Sequence, residues 1–257
     1  MTKKAVIIIL FIGFLIPVAH SQRWKLRRYE ATIGLGTTHF YGDIGGTADD
    51  KNLGGLKDIQ LQYTRPAISL GFRYKLTGDM ALKLNLNYGY VTGDDLDSRN
   101  DGRNFAFVST IFEPSVQFEY YLLPEGRSFS SAALFNRRGM INNYSKIYIY
   151  LFGGVGGTFF YPKPQKDFET SDRFTDNFSK FGLVFPVGIG LKYTIDSNWS
   201  LGLEVGRRFT LTDYIDGYTS DFSEHNDTYY LGVFNLIYKV RTDRRGRPLF
   251  RSRGFIR

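Results

Sequence analysis

Apolar and polar residues alternate with a period of two along segments of ten residues and more, which restricts this chain to long strands. Between Pro66 and Tyr74, Ile68, Leu70, Phe72 and Tyr74 share one face, while Ala67, Ser69, Gly71 and Arg73 share the other. Successive side chains of a strand point to opposite faces, so one face is greasy and the other small or charged. The pattern recurs at Leu82 to Tyr90, Leu183 to Tyr193 and Trp199 to Val205. Strands are expected near 29–41, 66–75, 80–92, 105–121, 147–161, 181–193, 199–211 and 228–240. Soluble strands average about 5 to 6 residues, whereas a tilted strand needs roughly 9 to 11 to cross a bilayer.

The connections alternate too. Segments 76–79 and 194–198 are tight, whereas 42–65, 93–104, 162–180 and 212–227 are long and polar. This layout predicts an all-β fold, an eight-stranded antiparallel transmembrane β-barrel of the outer membrane, with its long loops outside the cell and its termini in the periplasm. Residues 122–146 break the rule, because a short turn is expected where a basic insertion stands. Tyr41, Tyr90, Tyr161 and Tyr214 fall toward the outer rim, and Tyr74, Tyr193 and Trp199 toward the inner one, where interface aromatics belong.

Lys3 and Lys4, the apolar run Ala5 to Val18 and the small residues flanking His20 read as a cleaved signal peptide, 1–21. The alternative, an uncleaved anchor helix, would need roughly 20 apolar residues. The barrel is then expected over 22–240 and a basic periplasmic tail over 241–257. The chain has no cysteine, which removes disulfides, cysteine-held metals and thiol nucleophiles.

On the face opposite the greasy one, the alternation turns Glu30, Glu113, Glu119 and Glu204 inward together with Arg73, Lys83, Lys192 and Arg208. Isolated ions in so narrow an interior are costly, so a paired ladder is expected. Inward Gly34, Gly36, Gly188, Gly190, Gly202 and Gly206 are expected to leave room for the Arg and Lys arms. Eight strands enclose a space that side chains can fill, which favours a plugged barrel over an open pore.

Charge is sorted between the two ends. Residues 22–28 carry +4, the 122–146 insertion +3 and the tail 241–257 +6, against +8 for the whole chain. These basic elements, with Arg137, Arg138, Arg244, Arg245, Arg247 and Arg251 foremost, predict a rim that meets an acidic protein or a phosphate surface, outer-membrane lipid included. Nucleic acid is not an expected partner in that compartment.

Little in the sequence points to catalysis. A Ser-His-acid hydrolase would have to use His39 or His225, and neither sits in a hydrolase motif. Asp97 to Gly102 fails as a calcium loop, since Arg99 takes a ligand position and Val108 stands where a bidentate Glu is required. Gly153-Gly154-Val155-Gly156-Gly157 lies mid-strand, where it thins the wall for bulky neighbours and binds no phosphate. No catalytic, cofactor-binding or metal-binding residues are expected.

Four motifs carry a family resemblance: Tyr41-Gly42-Asp43-Ile44-Gly45-Gly46, Arg65-Pro66, Tyr150-Leu151-Phe152-Gly153-Gly154-Val155-Gly156, and Gly206-Arg207-Arg208 followed by Thr212-Asp213-Tyr214-Ile215-Asp216. In order and spacing the chain resembles the PorG family of Bacteroidota outer-membrane barrels. The resemblance implies a non-enzymatic subunit of the type IX protein secretion system, anchoring a periplasmic ring of PorK and PorN. The competing expectation is a stand-alone receptor or adhesin acting through acidic outer loops, with a lipid-modifying enzyme behind it.

Overall fold

The computed structural model describes residues 27–45, 63–96, 101–123, 146–172, 174, 177–218, 226–243 and 247–248. The expected leader 1–21 and most of the 122–146 insertion lie outside them, as do Arg137, Arg138, Arg244, Arg245, Arg251 and His225. The strands are β1 (Tyr29–Tyr41), β2 (Arg65–Lys75), β3 (Met80–Asp94), β4 (Phe105–Tyr121), β5 (Ile147–Lys166), β6 (Phe181–Thr194), β7 (Trp199–Thr210) and β8 (Thr228–Val240). Each pairs antiparallel with the next, and β1 pairs with β8, closing the barrel. Thirteen residues of β1 are matched from Tyr29↔Val240 to Tyr41↔Thr228, so no edge strand is left exposed along that seam.

The expected strands are the observed ones, with extensions of β3 to Asp94 and β5 to Lys166. These extra residues continue the β3–β4–β5 wall beyond the loop end of the barrel, where Asp94 pairs with Ala106 and Phe105 with Lys166. A 3-10 turn, Asp101–Arg103, leads into β4.

Burial is inside out relative to a soluble protein. Ile33, Leu35, Leu84, Val116, Val187, Ile189, Leu203 and Phe234 are exposed, while Glu30, Arg73, Lys83, Glu113, Glu119 and Lys192 are wholly buried. An apolar belt of this extent is stable only against hydrocarbon, and a closed barrel is the strand architecture that satisfies its backbone there. Among the described residues no helix is long and apolar enough to cross a membrane. The belt ends in aromatic pairs at the turn end, Trp199 with Tyr238 at 4.9 Å and Tyr29 with Tyr74 at 5.1 Å.

The tight connections are locally encoded. In the β6–β7 turn, Ile195 N–H donates to Trp199 O at 3.1 Å. The Asp196 carboxylate accepts from the N–H groups of Asn198 and Trp199 at 2.6 and 2.8 Å. Those two backbone bonds hold the Asp196 carboxyl below its ordinary range. In the β2–β3 turn, Leu76 and Thr77 both donate to Met80 O. Beyond β8, Thr242 bridges to Pro248 and Arg247 N–H donates to Asp243 Oδ1 at 2.8 Å.

Candidate functional site

The eight charged residues assigned to the lumen by alternation all lie inside the barrel, in two groups. Toward the turn end Arg73 sits at the centre. Its guanidinium meets Glu30 at 2.9 Å, Glu119 at 2.6 Å and Glu204 at 3.3 Å. Lys83 Nζ binds both oxygens of Glu204 at 2.7 Å, and Lys192 Nζ reaches Glu30 Oε1 at 2.6 Å. Higher up, Glu113 and Arg208 form a second, looser pair at 3.5 Å, with Tyr229 OH donating to Glu113 at 2.6 Å and Asn87 at 3.0 Å. Arg208 also donates to the carbonyls of Gly206 and Leu231. The planar fork of Arg73 contacts three carboxylates at once, which a point-charge ammonium cannot reproduce.

Three further side chains join the Arg73 group. Lys75 lies two residues beyond Arg73 on the same face of β2 and binds Glu30 Oε1 at 2.9 Å. Tyr150 OH donates to Glu204 at 2.6 Å, and Tyr121 OH to Glu119 at 3.1 Å. Their rings stack at 4.9 Å and form a small apolar cluster with Ala81, Tyr148 and Phe152. Inward parity marks Lys75 and Tyr121 in the sequence, whereas apolar residues occupy both faces of β5 around Tyr150.

The inward glycines serve a different purpose from the one expected. A Cβ at Gly190 would overlap the Tyr150 ring, and one at Gly188 or Gly206 would overlap Phe152. One at Gly34 or Gly36 would strike Val233. Of the six, Gly206 alone meets a cationic arm, Arg208 Nη1 at 3.0 Å. The space is kept mainly for aromatic and aliphatic side chains, because flat rings need closer approach to the wall than flexible arms do.

The loop end is closed by a structure that the polar reading of the loops did not foresee. Phe40, Ile44, Val91, Phe105, Phe107, Ile111, Phe160, Phe168, Ile215, Tyr218 and Tyr229 form one buried cluster, drawing on strand ends and on three loops. Phe174, Phe178 and Tyr214 pack on it, with Phe178 and Tyr214 stacked at 4.9 Å. Tyr214 therefore belongs to this cap and not to a lipid-facing rim. Asp95, wholly buried, ties the loops together. It accepts from Arg103 at 2.7 Å, Gly45 N–H at 3.0 Å and Phe105 N–H at 3.2 Å. Arg103 lies about 5 Å from the rings of Phe105 and Tyr218 and donates to Asp43 O at 2.8 Å.

Other sequence candidates fall apart from these groups. His39 is buried at the loop end of β1. Arg247, exposed beyond β8, is the one predicted rim residue among those described. The Gly153–Gly157 run lies in β5, where a Cβ at Gly154 or Gly156 would meet the backbone of β4.

Closed antiparallel strands, a lipid-compatible exterior and a charged interior define a small eight-stranded barrel of the outer-membrane kind. Residues 4–237 match the family described as Domain of unknown function (DUF6089), and the chain belongs to that family. Among curated proteins no sequence matches. Solved structures of similar fold include OprG from Pseudomonas aeruginosa, at 12% identity over 84% of this chain and 97% of that one, with a TM-score of 0.46. Ail of Yersinia pestis, solved with the heparin analogue sucrose octasulfate, is similar at 12% identity over 82% and 98%, TM-score 0.40. The outer membrane enzyme PagL is similar at 14% identity over 83% and 99%, TM-score 0.32.

Proposed function

We propose that this barrel is a non-enzymatic outer-membrane subunit of a type IX protein secretion system, holding a periplasmic ring of PorK/PorN-like proteins to the membrane. The observation that carries the reading is the filled lumen, crossed by the Arg73 and Glu113 groups and capped at the loop end. A barrel packed in this way works through its surfaces. Support for this particular partner comes from the order and spacing of the PorG-like motifs, and from the net positive charge of residues 22–28, 122–146 and 241–257. The strands adjoining all three segments end on the same side of the barrel. Arginine predominates there and suits bidentate contact with carboxylates.

The test is mutational. Changing Arg137 and Arg138 to Glu, or deleting 241–257, should leave membrane assembly intact while weakening co-purification of ring proteins and protein secretion. Variants that insert, co-purify and secrete like the parent would overturn the reading. Wild-type protein that purifies without any ring component would favour the stand-alone receptor or adhesin.

A further inference from the structure

Two of the motifs noted in the sequence, the first through its residues 41–45 and the second over 212–216, meet at the loop end around buried carboxylates that the lumen network does not use. Asp227 N–H donates to Thr212 O at 3.1 Å, and its Oδ2 accepts from Ile215 N–H at 2.9 Å. Its other oxygen, Oδ1, lies against Gly42, where any Cβ would collide with it. Asp216 Oδ1 accepts from Tyr218 N–H at 2.9 Å, in a turn completed by Gly217 at φ +78°. Both residues are fully buried; Asp227 Oδ1 has no hydrogen-bond donor, and Asp216 Oδ2 has none in good geometry, the Ile44 N–H being the one further backbone group directed at the Asp216 carboxylate. Burying an acceptor without a donor is costly, and burying an uncompensated carboxylate is costlier still.

The surroundings deepen the deficit. Burial is the largest effect raising both carboxyls well above their ordinary range, and the negative charges of Asp43 and Asp213 raise them further, as Asp216 does for Asp227. The nearby Arg103 is committed to Asp95 and to the Asp43 carbonyl.

We propose that Asp216 and Asp227 are the charged ligands of a divalent cation site, with Ca²⁺ the ion of matching chemistry. Hard oxygen donors held on short, glycine-bearing turns are what calcium takes. Among the described residues no three acidic or histidine side chains gather to hold an ion by themselves. The two carboxylates therefore share the shell of roughly 6 to 8 oxygens with backbone carbonyls and water. The bound ion would supply the missing partner to both orphan oxygens and pin the β7–β8 connection to the segment after β1. The inference stands independently of the secretion role.

The experiment uses the full-length folded barrel in detergent, free of lipopolysaccharide and treated with chelator. Calorimetric titration with Ca²⁺ should show a saturable site, and Asp227→Asn or Asp216→Asn should weaken it at least tenfold. Asp94→Asn, which removes a half-buried loop-end carboxylate bonded to Lys166, should leave it unchanged. Should a cap variant fail to fold, the wild-type barrel still decides the matter. Tb³⁺ bound beside Tyr214 and Tyr218 should show tyrosine-sensitised luminescence that Ca²⁺ displaces. No saturable Ca²⁺ heat and no displaceable luminescence in the wild type, or binding unaltered in folded Asp216 and Asp227 variants, would overturn the proposal.

Discussion

Tyr150 on β5 rests on Gly190 of β6, its direct partner in register, and from there its hydroxyl reaches Glu204 on β7 at 2.6 Å. The glycine thus sets the height at which the phenol enters the ion network. Gly190→Val should push the ring off its seat and break that bond. Overpacking costs about 1 to 3 kcal/mol and loss of a hydrogen bond to a charged group about 1.5 to 3 kcal/mol, so a loss near 3 kcal/mol is expected. Gly153→Ala, at a position open on its outer side, should be close to neutral. Urea unfolding in lipid vesicles, read by heat-modifiable gel mobility, checks both.

Arg73→Met should destabilise the barrel more than any other lumen substitution. It would leave Glu30 to Lys75 and Lys192, Glu204 to Lys83, and Glu119 to the Tyr121 hydroxyl alone. Removing one partner of a buried ion pair costs about 3 to 5 kcal/mol. Arg73→Lys should recover only part of this, because one ammonium cannot span three carboxylates. The same unfolding measurement ranks the two variants.

The packed lumen also predicts little ion conduction. Wild-type protein in planar bilayers should show no large, stable single-channel steps, and truncating both Arg73 and Lys83 to Ala should increase conductance in molecules that still insert. Large steps from the wild type would contradict the filled interior.

In chelator, the cap should loosen as pH rises. The carboxyls of Asp216 and Asp227 hold their protons more tightly in the fold than in the unfolded chain. Their contribution is therefore complete below the unfolded value of about 3.9 and is lost as pH climbs through the raised values. Burial sets most of this balance, aided by the charges of Asp43 and Asp213, with the backbone N–H groups of Ile44, Ile215 and Tyr218 opposing it. Proteolysis between 212 and 227 should accelerate with pH in the parent and become nearly pH-independent when both residues are Asn.

The barrel was legible in the sequence because period two is a local signal repeated in every strand, and inward charges stand out against it. Lys75 was legible by the same parity and overlooked, since it closes its strand beside a turn. Tyr150 hid because an aromatic residue in a membrane strand suggests the lipid side. The cap was not legible: Phe168, Phe178, Ile215 and Tyr218 come from loops with no period, and only the meeting of distant segments gives them a common interior. The acidic character of 212–227 suggested solvent, whereas Asp216 and Asp227 are buried by those same contacts.

The seam between β1 and β8 joins the first and last strands of the barrel, residues some two hundred positions apart in the chain. A ribosome that stops before Thr228 therefore delivers seven strands with two raw borders. In hydrocarbon each unmet N–H or C=O along those borders costs several kcal/mol. Such a product cannot close on itself in the membrane. Stopping after Val240 spares the whole cylinder, so what separates a lost barrel from a closed one is the thirteen codons of β8.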